Sequence, residues 1–194
     1  MPISDCEVRD PRMRRTRQLL QSALRNLMQS KNFDEIAVQD IAEAATVNRA
    51  TFYDHYTDKY ALLEAMVAGG FHKLLHERNV CYDGTCPSAI RALVLATCDY
   101  LAQFHGDSTE YQRHSAFEPL VEAAMTTAIR RVLRAGTPKS SSVTGPSHEM
   151  ITSAASWALY GAVKEWFNTP SRIPAEEVAP LVMRLVIPIL ENSR

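Results

Sequence analysis

Residues 38–59 read VQDIAEAATVNRATFYDHYTDK. Val38, Ile41, Ala42 and Ala45 recur at three- and four-residue steps, which predicts a short one-faced helix over residues 38–45. Thr46-Val47-Asn48 leaves room for only one tight turn. Asn48 is a good N-cap, so a second short helix is expected over residues 49–56. Thr57 and Asp58 offer the next cap. Beyond them Leu62, Leu63, Met66, Val67, Phe71, Leu74 and Leu75 form the apolar face of a longer helix reaching about residue 78.

Upstream, residues 12–31 predict another helix, with Leu19, Leu20, Ala23, Leu24, Leu27 and Met28 on its inner face. This stretch carries Arg12, Arg14, Arg15, Arg17, Arg25 and Lys31 and no acidic residue. Asn32 reads as its stop, because Asn tolerates the left-handed conformation that closes a helix. Downstream, residues 79–87 form a turn-rich connector. Helices are expected over 88–104, in a short piece over 109–116, and from Pro119 to 134. GTPKSSSVTGP, residues 136–146, is the plainest loop. Two long apolar helices close the chain, over 147–168 and 176–190. The first is rich in small residues (Ala154, Ala155, Ala158, Gly161 and Ala162), and the second repeats Val178, Leu181, Val182, Leu185, Val186 and Ile189. Pro180 is expected near the start of the last helix and Pro188 to bend or end it. No strand-like alternation stands out, and the fold class is all-α.

Composition narrows the function. The 194 residues are 46% hydrophobic and 22% charged, a globular balance. Net charge is −1, so affinity for nucleic acid must come from a local patch. No apolar run approaches the ~20 residues of a membrane span, and the charged start MPISDCEVRD lacks a signal peptide's apolar core. A cytoplasmic protein is expected. There is no phosphate-cradling Gly loop, nucleophile elbow or evident carboxylate pair, so neither an enzyme nor a cofactor is expected.

The two short helices and their turn describe a helix-turn-helix, whose second helix enters the major groove of DNA by its N-terminal residues. Here that helix begins Arg49-Ala50-Thr51. Arginine can bond a guanine edge bidentately, and a threonine methyl can touch thymine. Tyr53, His55, Tyr56 and Lys59 follow with groups suited to phosphate. The basic front of the first helix, Arg14 and Arg15 above all, could reach adjacent backbone or minor groove. Phe52 belongs to the core.

On Phe33, Val38, Ile41, Ala42, Ala45, Val47, Thr51-Phe52-Tyr53, Tyr56, Lys59 and Leu62-Leu63, the chain resembles the DNA-binding domain of TetR-family transcriptional regulators. The resemblance implies a three-helix DNA-binding bundle over residues 1–58 and an effector-binding and dimerising helical domain over 59–194. It places Val38 and Gln39 near phosphate, Arg49, Ala50, Thr51 and Tyr53 at the reading positions, and His55, Tyr56 and Lys59 at phosphate clamps. Three positions depart from the family's habit. Thr46 replaces a glycine in the turn, Ala37 replaces a capping Ser or Thr, and Asn32 replaces a glycine after the first helix. Thr46 is expected to strain or reshape the turn.

The same resemblance implies a homodimer through the last two helices, a pseudo-palindromic operator, and a small effector that releases a repressor; the aromatic and Met residues of the region point to a largely apolar one. Candidate effector residues are Tyr100, Phe104, His105, His114, Phe117, Met125, Trp157 and Trp166. A competing reading of the same region is a metal or thiol sensor. His72 and His76 stand one helical turn apart, and Cys81 and Cys86 follow closely.

Overall fold

Asp10 starts the first helix. Its carboxylate accepts the Arg12 amide at 2.8 Å, and Pro11 fills the first helical position, where no amide is needed. The computed structural model describes residues 10–78, 86–106, 118–136 and 145–191, without the side chains of 104–106. The elements are α1 (Pro11–Leu27), a single 3-10 turn (Phe33–Glu35), α2 (Val38–Ala44), α3 (Arg49–His55), α4 (Lys59–Glu77), α5 (Pro87–Gly106), α6 (Glu118–Gly136), α7 (His148–Asn168) and α8 (Ala175–Glu191). The described residues contain no strand, and the fold is all-α. The short helix expected over 109–116 lies outside them, as do residues 79–85 and 137–144.

Two compact units emerge. The first holds α1, α2, α3, α4 as far as Gly70, and α6 through Ala124. Its core includes Leu20, Leu24, Phe33, Ile36, Ile41, Phe52, Leu62 and Leu63. The second holds α4 from Phe71, α5, α6 from Met125, α7 and α8. There α5, α7 and α8 pack on one another, burying Leu93, Val94, Ala155, Leu159, Val163, Val182 and Val186. Arg78 adds a guanidinium–carboxylate pair with Asp99, its Nε donating to Oδ2 at 2.7 Å.

Three local expectations are corrected. Asn32 does not close α1 in a left-handed conformation; its φ is −62°. The helix instead unwinds through amides of Gln29, Ser30 and Lys31 bonded to Asn26 and Leu27 carbonyls, so no residue there needs positive φ. The inner face of α1 runs through Arg17, Leu20, Ala23 and Leu24, and leaves Leu19 44% exposed. Finally, α8 continues through both Pro180 and Pro188. Both prolines are exposed, as are Glu176 and Arg184, so the carbonyls each proline cannot serve lie beside water. A proline in a helix interior costs about 3 kcal/mol, and here the buried stripe Val178, Ala179, Val182, Val186 and Leu190 opposes that cost.

Candidate nucleic-acid interface

α2 begins with little local help. Ala37 supplies no side-chain cap, but its own amide donates to Asp40 Oδ2 at 2.9 Å, so Asp40 forms the reciprocal half of a capping box. Lys31 Nζ stands 3.7 Å from the same oxygen. Ile41 and Ala42 are buried, while Val38 is half-buried and Gln39 exposed. Gln39 Nε2 donates to Glu43 Oε1 at 2.6 Å along the outer face.

The turn closes α2 with a Schellman motif. Val47 N donates to Ala42 O at 2.9 Å and Thr46 N to Glu43 O at 3.0 Å. Thr46 sits at φ 56°, the left-handed region that a β-branched residue avoids. The turn therefore keeps the geometry a glycine would give it and carries strain rather than changing shape.

Asn48 then caps α3, its Oδ1 accepting from Ala50 N at 2.9 Å. Seven residues cannot hold a helix alone. Phe52, fully buried, is the anchor. With Phe52 inward, Arg49, Ala50, Tyr53 and Asp54 face out, and Thr51 is half-buried. Arg49 Nη2 donates to the Tyr53 hydroxyl at 3.3 Å, and its guanidinium carbon lies 5.6 Å from that ring's centroid. Tyr53 rests edge-on against Phe52 at 5.4 Å. Arg49 and Tyr53 thus stand together on one exposed face.

The remaining predicted residues divide. Arg14 and Arg15 are exposed on α1. His55 is half-buried, and its Nδ1 is buried with no hydrogen-bond partner among the described residues. Burial first, and then the positive charge of Arg17, lower its pKa below the usual 6.5, against a smaller opposing pull from Asp54. Tyr56 is buried. Its hydroxyl accepts from Gln21 Nε2 at 3.1 Å, and the Arg17 guanidinium lies 4.9 Å from its ring centroid. Lys59 Nζ donates to the carbonyls of Phe33, Asp34 and Ile36. The reading from sequence turned Tyr56 and Lys59 toward phosphate, whereas both are engaged inside their unit. Arg17, counted there among the basic front, is 5% exposed. Its spacing from Leu20 and Leu24 was the available signal.

The effector candidates scatter. Tyr100 is buried, edge-on to Phe71 at 6.2 Å, and Met125 is fully buried. Trp157 is 50% exposed on α7. Trp166 is half-buried and donates its indole N–H to Ile173 O at 2.8 Å, beside the left-handed Ser171. Phe104 and His105 lie on α5 without described side chains, and His114 and Phe117 lie outside the described residues. Sequence reasoning passed over three buried hydroxyl residues of this region, Thr126, Thr152 and Ser156. Thr152 and Ser156 bond to carbonyls one turn back, those of His148 and Ser153, as Thr97 does to Leu93. Their places among apolar helix positions were the signal.

The thiol and imidazole cluster finds little support. Cys81 lies outside the described residues, His76 is exposed, and the Cys86 Sγ stands 2.7 Å from Ser88 Oγ. Among the described residues no three His, Cys, Asp or Glu side chains group as metal ligands. Nor is any helix there long and apolar enough to cross a membrane.

Residues 20–66 match the sequence model of bacterial regulatory proteins, tetR family. An uncharacterized HTH-type transcriptional regulator, YxbF of Bacillus subtilis (strain 168), is 41% identical over 59 residues, 30% of this chain and 16% of that protein. DhaS of Lactococcus lactis subsp. lactis (strain IL1403), an HTH-type activator of the dhaKLM operon, is 30% identical over 67 residues, 34% of this chain and 36% of that protein. The chain thus spans well under half the length of these curated relatives. Among solved structures, a TetR-family regulator from Streptomyces coelicolor A3 superposes with a TM-score of 0.64 at 21% identity, covering 95% of this chain and 99% of that one. RolR in complex with resorcinol gives 0.51 at 17% identity, covering 94% of each chain. The two curated relatives and the Streptomyces protein are named as regulators.

Proposed function

From a chain that carries the TetR-family helix-turn-helix and the all-α fold of TetR-family regulators, we propose a homodimeric transcriptional regulator. It binds a pseudo-palindromic duplex operator through α3 and leaves it when a small, largely apolar effector binds. One observation carries the DNA reading. The capped, single-anchor helix α3 buries Phe52 and turns Arg49, Ala50 and Tyr53 outward. Arg49 suits a guanine edge, and Thr51 and Tyr53 suit a methyl or a phosphate. Val38, Gln39 and His55 flank them at the backbone, and Arg14 and Arg15 extend the basic surface. Tyr56 supports this face from inside.

The dimer reading rests on apolar positions left exposed in the second unit. On α7 these are Met150, Ala154, Trp157 and Gly161; on α8, Leu181, Leu185 and Pro188. Each set follows one helix face in three- and four-residue steps. A Cβ built on Gly161 would meet nothing within 4 Å, so the glycine is not needed for packing within the subunit and suits close approach of another backbone. A two-fold pair would hold two copies of α3 about one DNA turn apart, ~34–36 Å. We assign DNA reading to residues 1–58 and effector binding and dimerisation to 59–194. Effector among α5, α6 and α7, near Tyr100 and Met125, would swing α4 and change that separation. RolR's resorcinol illustrates a compact ring as such a ligand. Switching requires the effector to favour one state by a few kcal/mol.

Selection of duplexes from a random pool by the purified chain tests the reading. The expected result is an enriched two-fold sequence with half-sites about ten base pairs apart. A monomer that enriches nothing overturns it.

A further inference from the structure

We propose that Lys59 is a positioning residue, a three-point latch that holds the chain between α1 and α2 against the start of α4. The proposal rests on the reading of α2 and α3 as a DNA reader. Lys59 is the first residue of α4. Its Nζ donates to Phe33 O at 2.8 Å, Asp34 O at 3.0 Å and Ile36 O at 2.9 Å. An ammonium has three N–H donors and no acceptor, so its whole capacity is spent on these carbonyls. The charge also lies 4.8 Å from the Phe33 ring centroid and 5.7 Å from that of Tyr60, and the two rings meet edge-on at 5.4 Å.

The placement explains what the latch is for. The three carbonyls bracket a 3-10 turn of three residues, whose own ladder is too short to hold it. Its buried side chains Phe33 and Ile36 fix its inner side. Ala37 and α2 follow at once, and Ala37 offers no side-chain cap. The entry of α2 is therefore set by Lys59 from another helix. Val38 and Gln39 sit on the first turn of α2, and α3 packs on α2. A shift at the latch moves the reading face. A phosphate could recruit this ammonium only by displacing carbonyls that would lose their partner. Arginine is no substitute, since its planar fork cannot send three N–H groups from one nitrogen to three convergent oxygens.

The test labels the lysines of the full chain by reductive methylation, free and bound to a duplex selected from the random pool, with sites read by mass spectrometry. Lys59 is expected to react at least about tenfold more slowly than the exposed Lys73 in the free protein, and no differently when bound. A Lys59 as reactive as Lys73 until duplex is added overturns the latch and makes it a phosphate contact. Lys59→Met and Lys59→Arg carry the second arm. Both are expected to weaken binding at least about tenfold while leaving the slope of log Kd against log salt unchanged. Wild-type affinity in either variant overturns the proposal, as does a slope lower by about one per subunit, the signature of a lost phosphate contact. If the wild type selects no duplex, the DNA reading fails, and labelling of the free chain still judges the latch.

Discussion

α3 has seven residues and α8 has seventeen, yet the shorter helix is the better specified by its own neighbourhood. Asn48 caps α3, a Schellman turn delivers the chain to it, and Phe52 pins it. α8 carries two prolines in its interior and persists because five buried side chains hold it to α7 and α5. Local chemistry decides the first region and tertiary packing the second. Under the proposed function, a reader needs a small rigid face on little material, whereas a dimerising unit needs long surfaces that finish in another molecule. Substitutions in the two regions should therefore fail differently.

The largest effect is expected from Phe52→Ala. Removing a fully buried aromatic costs about 3–5 kcal/mol, and α3 has no other buried residue. Duplex binding should vanish while far-UV helicity falls only in part and the dimer survives in sedimentation. Loss of the dimer as well would show that the units do not divide the work as proposed. Leu185→Arg probes the second unit. Leu185 is 59% exposed in the single chain, so its cost to subunit folding should be small. In a dry interface the charge should weaken association by on the order of 2–4 kcal/mol, visible as monomer at micromolar concentration. An unchanged dimer would exclude this face.

What could be read from residues alone follows the same division. The caps at Asn48 and Asp58 and the strained Thr46 are short-range features, each settled by a neighbour within four residues, and Phe52 is legible as the one large apolar side chain of its short helix. Asp58 Oδ1 does accept from Ala61 N, at 2.7 Å. Lys59 and Tyr56 read otherwise because their partners lie far off in sequence, Phe33 to Ile36 for one and Gln21 and Arg17 for the other. A polar side chain at a helix end looks the same on paper whether it meets solvent or a distant carbonyl. In the second unit, periodicity located α7 and α8 but could not separate an aromatic turned inward from Trp157 turned outward. Both satisfy a 3.6-residue repeat, and only the packing of three helices chooses.

Arg49→Ala sharpens the reader side. A bidentate base contact is worth about 1–3 kcal/mol of discrimination, so affinity for the selected duplex should fall by that amount and random duplex should bind as before. Equal losses on both would make Arg49 a phosphate contact. Thr46→Gly should act in the opposite direction. Left-handed threonine is strained by about 1–2 kcal/mol, and glycine returns part of that as unfolded-state entropy. A net gain of about 0.5–1 kcal/mol in chemical denaturation is expected, without change in duplex affinity. A loss would mean that the Thr46 side chain contributes something its exposed position does not reveal.

The smallest effect is the titration of His55, and it belongs to the first unit alone. Burial and the Arg17 charge hold its pKa below 6.5 in the folded chain. Above 6.5 both folded and unfolded forms are neutral, and His55 contributes no pH dependence. As pH falls below that value the unfolded chain takes up a proton that the folded chain resists, so folded stability declines until the folded pKa is passed. The denaturation midpoint of the first unit should therefore drop as pH falls below 6.5, and His55→Gln should flatten the drop. The Leu185→Arg monomer provides the contrast, since its second unit should keep the pH profile it had in the dimer. A wild-type first unit whose midpoint rises on acidification would mean that Asp54 outweighs burial and Arg17 at the imidazole.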